Sequence, residues 1–209
     1  MESSSKRFKP LSPLPYTEQV GDIVEHYNYS SCLIVQLNNC VSRKLHPHSF
    51  SWNLGMQYTY SNPYQHRITG PYPNLASEEC RPLPGSVQIF HPPFERKGPS
   101  FACLYGQYKM GKENSTYYLN SSKVDAHYVY MSLYKDTYGH RLQYFNLCLN
   151  KLAKKLLSLH YIDSVIFPKY IGCGMAGGKW TDYEEIISRF CLLLKKYRPD
   201  VNVYIMEKK

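Results

Sequence analysis

The stretch "SVIFPKYIGCGMAGGKW", residues 164–180, constrains this chain most: an apolar run ends in four glycines within seven positions, Gly172, Gly174, Gly177 and Gly178. A helical pattern follows, with Ile186, Ile187, Phe190 and Leu194 on one side from about Asp182 to Tyr197. Strand, side-chain-poor turn and helix together form half of a crossover unit, the building block of sheets covered by helices. Such a turn also bares main-chain N–H groups at the positive end of the next helix, a ready anion site. The spacing excludes the common nucleotide motifs. Lys179 is followed by Trp180, so there is no GxxxxGK[ST]; GxGxxG fits Gly172, Gly174 and Gly177 only literally, since that motif belongs to an early strand. Two uses remain for the glycines: a tight corner, or a cradle for a diphosphate.

The rest of the chain supplies more of the same units. "EQVGDIVEHY" reads as a first strand, and "SCLIVQLNNC" as a second, buried on both faces and ending in Asn38, Asn39 and Cys40. In open α/β sheets ligands sit at that carboxyl end. "SFSWNLGMQYTY" reads as a short helix, residues 61–85 as an extended loop rich in Pro, Gly, Asn and Ser, and "SVQIFHP" and "SFACLYGQY" as two further strands. Residues 109–128 show no steady period and read as loop. Leu142, Phe145, Leu149, Leu152, Leu156 and Leu159 lay one apolar stripe along a helix from about Gly139 to His160. "IDSVIFP" and "VNVYIM" complete the strands. The expectation is an α/β fold with a mixed central sheet: one domain over residues 17–209, preceded by a basic, proline-rich arm over residues 1–16.

Charge narrows the partners. A formal net charge of +9 draws polyanions. From Lys151 to Lys209, however, eleven Lys and Arg interleave with six Asp and Glu, as on a solvated surface. RNA or poly(ADP-ribose) is a partner that this basic surface and the 21 tyrosines allow, although strand packing is the commoner use of tyrosine. No apolar run approaches the roughly 20 residues needed to span a bilayer. The chain is expected to be soluble and intracellular, cytoplasmic or nuclear, with no membrane partner. Seven cysteines without a CxxC pair point to buried thiols and away from a zinc site, so neither a metal nor a cofactor is expected.

The glycine segment resembles the phosphate-binding loop of macrodomains, in the subgroup carrying a "GCGLAGGxW" version of it. "VGDIVE" is similar to the first-strand GDI motif, "VQLNNC" to the second-strand Asn motif, and "LYGQY" to the strand ahead of the variable loop. The resemblance runs from about Gln19 to Ile205. It implies a three-layer α/β/α sandwich that binds ADP-ribose, alone or attached to a macromolecule. Many macrodomains hydrolyse ADP-ribosyl bonds or dephosphorylate ADP-ribose 1″-phosphate; others read the modification without cleaving it. Carried onto this sequence, Asp22 and Ile23 contact adenine, Gly172, Cys173, Gly174, Met175, Ala176, Gly177 and Gly178 cradle the diphosphate, and Asn39 holds the distal ribose. Two departures stand out. Pro47 lies where the subgroup tends to have glycine, and Ala176 occupies the position of an Asp in the branch similar to terminal ADP-ribose glycohydrolases, so Asp-assisted catalysis is not expected.

His46 and His48 flank Pro47 on the loop that borders the distal ribose. An imidazole there can activate water or protonate a leaving oxygen. Asn39 and His46 are therefore the candidate catalytic residues, against the plainer readings of a strand-ending amide and a surface histidine. Cys173 reads either as a thiol activated by the helix end or as a small packing residue. Lys179 either reaches the phosphates or faces solvent, and Trp180 packs the last helix onto the sheet.

Overall fold

The computed structural model describes residues 14–47, 49–65, 67–68, 76–94, 96–113 and 134–208. Among these residues six strands form one sheet: β1 (Thr17–Val20), β2 (Cys32–Asn39), β3 (Val87–Phe90), β4 (Ser100–Gln107), β5 (Ser164–Pro168) and β6 (Asn202–Glu207). Their order is β1-β6-β5-β2-β4-β3, parallel throughout except for the antiparallel edge pair β3–β4. The helices among the described residues are α1 (Ile23–His26), α2 (Phe50–Gln57), α3 (Tyr138–Leu156) and α4 (Trp180–Tyr197).

Alternation along the strands divides the interior in two, because successive side chains point to opposite faces. On one face, Leu33 and Val35 of β2, Ala102 and Leu104 of β4, and Val165 and Phe167 of β5 meet the apolar stripes of α3 and α4 in the larger core. On the other, Cys32, Ile34, Phe101 and Ile166 meet Ile23 of α1 and Leu54 of α2. The result is a mixed sheet, as the sequence pattern predicts, within the three-layer α/β/α sandwich that the resemblance implies. Among the described residues six tyrosines (Tyr16, Tyr27, Tyr64, Tyr105, Tyr108 and Tyr183) are buried, which assigns them to packing. Arg198, just past α4, caps the far end of α3: its guanidinium donates to the carbonyls of Leu156 (2.5 Å) and Ile162 (2.9 Å) while pairing with Asp200.

Some boundaries differ from the sequence reading. The first strand stops at Val20, because the Asp22 carboxylate accepts from the Val24 amide (2.8 Å) and starts α1 where a continued strand was expected. Tyr16, read as part of the arm, is 7% exposed and its hydroxyl donates to Glu184 (2.7 Å), so packed structure reaches into that segment. Residues 1–13 of the arm lie outside the described residues, as do residues 114–128 of the segment read as loop. Helix α3 ends at Leu156, four residues short of His160. None of the helices among the described residues is long and apolar enough to cross a membrane.

Candidate functional site

The carboxyl ends of β2, β4 and β5 converge on a cavity of about 790 Å³. The chain reaches β2 from β1 on one side of the sheet, leaves it for the β3 edge on the other, and crosses back over it from β4 to β5, a reversal of the kind at which α/β sheets place ligands. Three lysines, Lys44, Lys112 and Lys169, reach the cavity wall, and among the described residues no Asp or Glu lines it. That balance of charge favours an anionic ligand over a cationic one.

The glycine loop forms one wall. Gly172 has φ of +79°, a region that a side chain resists, and Gly178 donates its amide to the Gly172 carbonyl (2.9 Å), closing the loop on itself. A Cβ on Gly178 would stand 2.5 Å from that carbonyl oxygen and 2.5 Å from the Tyr183 ring, so no other residue fits. The glycines therefore do turn a tight corner. The amides of Cys173 and Gly177 are used internally, on Tyr170 and Gly174, whereas those of Gly174, Met175 and Ala176 have no partner among the described residues. Gly172, Gly174, Met175 and Ala176 line the cavity; Cys173, Gly177 and Gly178 do not. Tyr170, which opens the loop, holds a left-handed backbone (φ 62°) with its ring set edge-on against Trp180.

The facing wall comes from the end of β2. A register shift between Leu37 and Asn39 interrupts its ladder with β4, and both Asn38 and Asn39 reach the cavity. The Asn39 side-chain oxygen accepts from the Ser42 amide (2.7 Å), bending the chain and leaving its Nδ2 as the open donor. Asn38 is 5% exposed, and its Nδ2 is buried with no partner. A buried donor without an acceptor is costly in water-free surroundings and reads as a ligand contact. Tyr64 packs beneath both, its hydroxyl donating to Asn38 Oδ1 (3.4 Å) and accepting from the Asn39 amide (3.3 Å). Burial drives its phenol well above the ordinary range, so it stays protonated. Arg67 fixes the bend by donating to the carbonyls of Cys40 (2.8 Å) and Ser42 (2.5 Å), with its guanidinium over the Tyr64 ring.

A second arginine ties the glycine loop to the segment that follows β4. Arg141, in the first turn of α3 and 1% exposed, donates through Nη1 to the carbonyls of Gly111 (2.6 Å) and Ala176 (3.2 Å). Its Nη2 pairs with Asp136 (2.6 Å), whose carboxylate in turn accepts from the amides of Tyr108 and Lys109. One buried ion pair thus ties the end of β4, the loop after it and the glycine loop. Sequence reasoning missed this pair, although Arg141 lies one turn before Phe145 on the apolar stripe, where a charge is a signal.

The other expected residues fall as follows. His46 lines the cavity rim and is exposed; its Nδ1 stands 2.6 Å from the Pro47 carbonyl, which can only accept, so Nδ1 carries the proton and Nε2 is the basic atom. His48 lies outside the described residues. Asp22 and Ile23 do not line the cavity. Asp22 caps α1, and Ile23 is buried under the sheet, while its amide, first in the helix, has no intrahelical partner. Burial, and then the Asp182 carboxylate, push the Cys173 thiol up, opposite to activation by the helix end; it packs against the core. Lys179 is exposed at the N-cap of α4, away from the cavity lining, and Trp180 packs against the core. Among the described residues no group of His, Cys, Asp and Glu could hold a metal ion.

No family model and no curated protein matches the chain. Solved structures do. The macrodomain of Mycobacterium tuberculosis DarG superposes with a TM-score of 0.57 at 16% identity, over 91% of this chain and 96% of that one. An Oceanobacillus iheyensis macrodomain with MES bound (TM-score 0.44, 14% identity, 91% and 82% covered) and a mutant of it with ADPR (0.44, 12%, 90% and 82%) are more distant, and neither bears on the site. A parallel β1-β6-β5-β2-β4 array with one antiparallel edge, helices on both faces and that superposition on the DarG domain give this chain the macrodomain fold.

Proposed function

We propose that the protein binds ADP-ribose or a derivative of it in this cavity and hydrolyses the bond at the distal ribose. The observation that carries the reading is the row of unpartnered amides at Gly174, Met175 and Ala176, beside lysines and across from Asn38 and Asn39. Consecutive amides suit a diphosphate, and buried amide donors suit ribose hydroxyls. The adenine then lies toward Asp22, whose second carboxylate oxygen is not used in capping α1.

For hydrolysis the base falls to His46, since no carboxylate lines the cavity among the described residues. Its Nε2 takes a proton from water as that oxygen bonds to the attacked carbon or phosphorus and the bond to the leaving group breaks; the imidazolium then returns the proton to the leaving group, while Asn39 Nδ2 donates to the substrate. Incubation with ADP-ribosylated protein and with ADP-ribose 1″-phosphate tests this: release of ADP-ribose or phosphate is expected. His46→Gln is expected to lower kcat/KM by roughly 10²-fold or more, with calorimetric affinity for ADP-ribose unchanged. Full activity in that variant removes His46 from the chemistry. Binding with no turnover of either substrate would instead establish a reader of ADP-ribosylated targets, the reading favoured by Ala176 and by the exposure of His46.

A further inference from the structure

We infer that Lys112 is a direct phosphate ligand of this site, closing over the outer side of the glycine loop. The inference rests on the proposed diphosphate cradle. Lys112 follows β4 in a segment that no phosphate-binding pattern in the sequence singles out, yet its side chain runs along the loop: Cγ, Cδ and Cε lie 3.0, 3.3 and 3.4 Å from where a Cβ on Gly177 would be. Gly177 has φ of +72° and presents a bare face, so the aliphatic stem lies flat on it.

The charge at the end of that stem has no partner among the described residues. The neighbouring carboxylate of Glu113 is engaged elsewhere, on the amide of Tyr138 at the start of α3. Lys169, also on the cavity wall, is committed to Glu207 (2.8 Å) and Glu18 (3.7 Å). Among the described residues, Lys112 is therefore an uncommitted cation lying along the glycine loop, in a cavity whose described lining holds no acid and which three open amides share. Its position is set from below, because Arg141 Nη1 grips the carbonyls of both Gly111 and Ala176 and so fixes the Lys112 segment against the loop. A flexible ammonium anchored in this way meets a phosphate with little of its side-chain freedom left to lose.

Calorimetry with ADP-ribose on the wild type, Lys112→Ala and Lys112→Arg tests the assignment at low and high salt. Lys112→Ala is expected to bind about tenfold more weakly at low salt, as loss of a charge-assisted hydrogen bond implies. The deficit should narrow at high salt, where screening already weakens the contact. Lys112→Arg is expected to recover most of the affinity, and the unliganded melting temperature should be the same for all three. Equal affinity of Lys112→Ala and wild type overturns the inference, as does a deficit that salt leaves untouched. Failure of the wild type to bind ADP-ribose strikes the proposed function itself and with it this inference.

Discussion

Gly174→Glu is expected to abolish ADP-ribose binding while leaving the protein as stable as before. Nothing lies within 4 Å of the position where its Cβ would stand, and its backbone is outside the left-handed region, so a side chain meets neither a clash nor a strained conformation. The new carboxylate, however, emerges beside the open amides of Gly174, Met175 and Ala176. A like charge about 4 Å from a phosphate, at the effective dielectric of a protein surface, costs about 4 kcal/mol, roughly a thousandfold in affinity. An exposed substitution of this kind should change stability by no more than about 0.5 kcal/mol. Calorimetry and thermal melting on the one variant separate the two quantities. An affinity within about threefold of wild type would show that the phosphates do not lie on this turn. The neighbouring Gly178→Ala makes the opposite contrast, since its methyl meets the Gly172 carbonyl at 2.5 Å and must distort the loop, lowering stability as well as binding.

The second large effect is structural. Arg141→Ala should destabilise the fold by about 3 to 5 kcal/mol, because it strands the Asp136 carboxylate, 2% exposed, without its counter-charge. For a chain of this size that corresponds to a fall in Tm on the order of 10 °C. Many buried ion pairs can be exchanged for apolar residues of similar volume at little cost. This one should resist the exchange: Arg141→Met with Asp136→Leu also removes the partners of the Gly111 and Ala176 carbonyls and of the Tyr108 and Lys109 amides. Denaturant unfolding of the single and double variants measures the difference. A Tm for Arg141→Ala within about 2 °C of wild type would mean that the pair is not what holds the loops together.

How much of this was legible in the sequence depended on whether the feature repeats. The stripes of α3 and α4 recur at the helical period, and β2 and β5 stand out as short, continuous apolar runs, so the helices, the buried strands and an α/β sheet could be read directly. The glycine loop was legible because four glycines in seven positions have few other uses. Helix α1 was hidden, because Ile23 and Val24 continue the β-branched look of the preceding strand and only the Asp22 cap breaks it. Tyr64 and Arg67 sit in a stretch whose Pro, Gly and Asn content signals loop and nothing more; their roles arise from contacts across 25 or more residues with the end of β2. Asp136 and Arg141 join segments 28 and 35 residues apart, and no local pattern encodes such a contact. Asp22 shows the converse: its motif was clear in the sequence, yet one of its carboxylate oxygens is spent on the chain itself.

The amides open at Gly174, Met175 and Ala176 belong to peptide groups, and every residue except proline carries one. A recognition surface made of such groups depends on the path of the chain much more than on the letters along it. Tyr170, Gly172, Gly178 and the Arg141 grip set that path, while the exposed side chains of the loop, such as Met175, are at liberty to drift. A chain only 16% identical to the DarG domain can thus share its architecture, and a main-chain surface of this kind need leave little trace in a side-chain alignment.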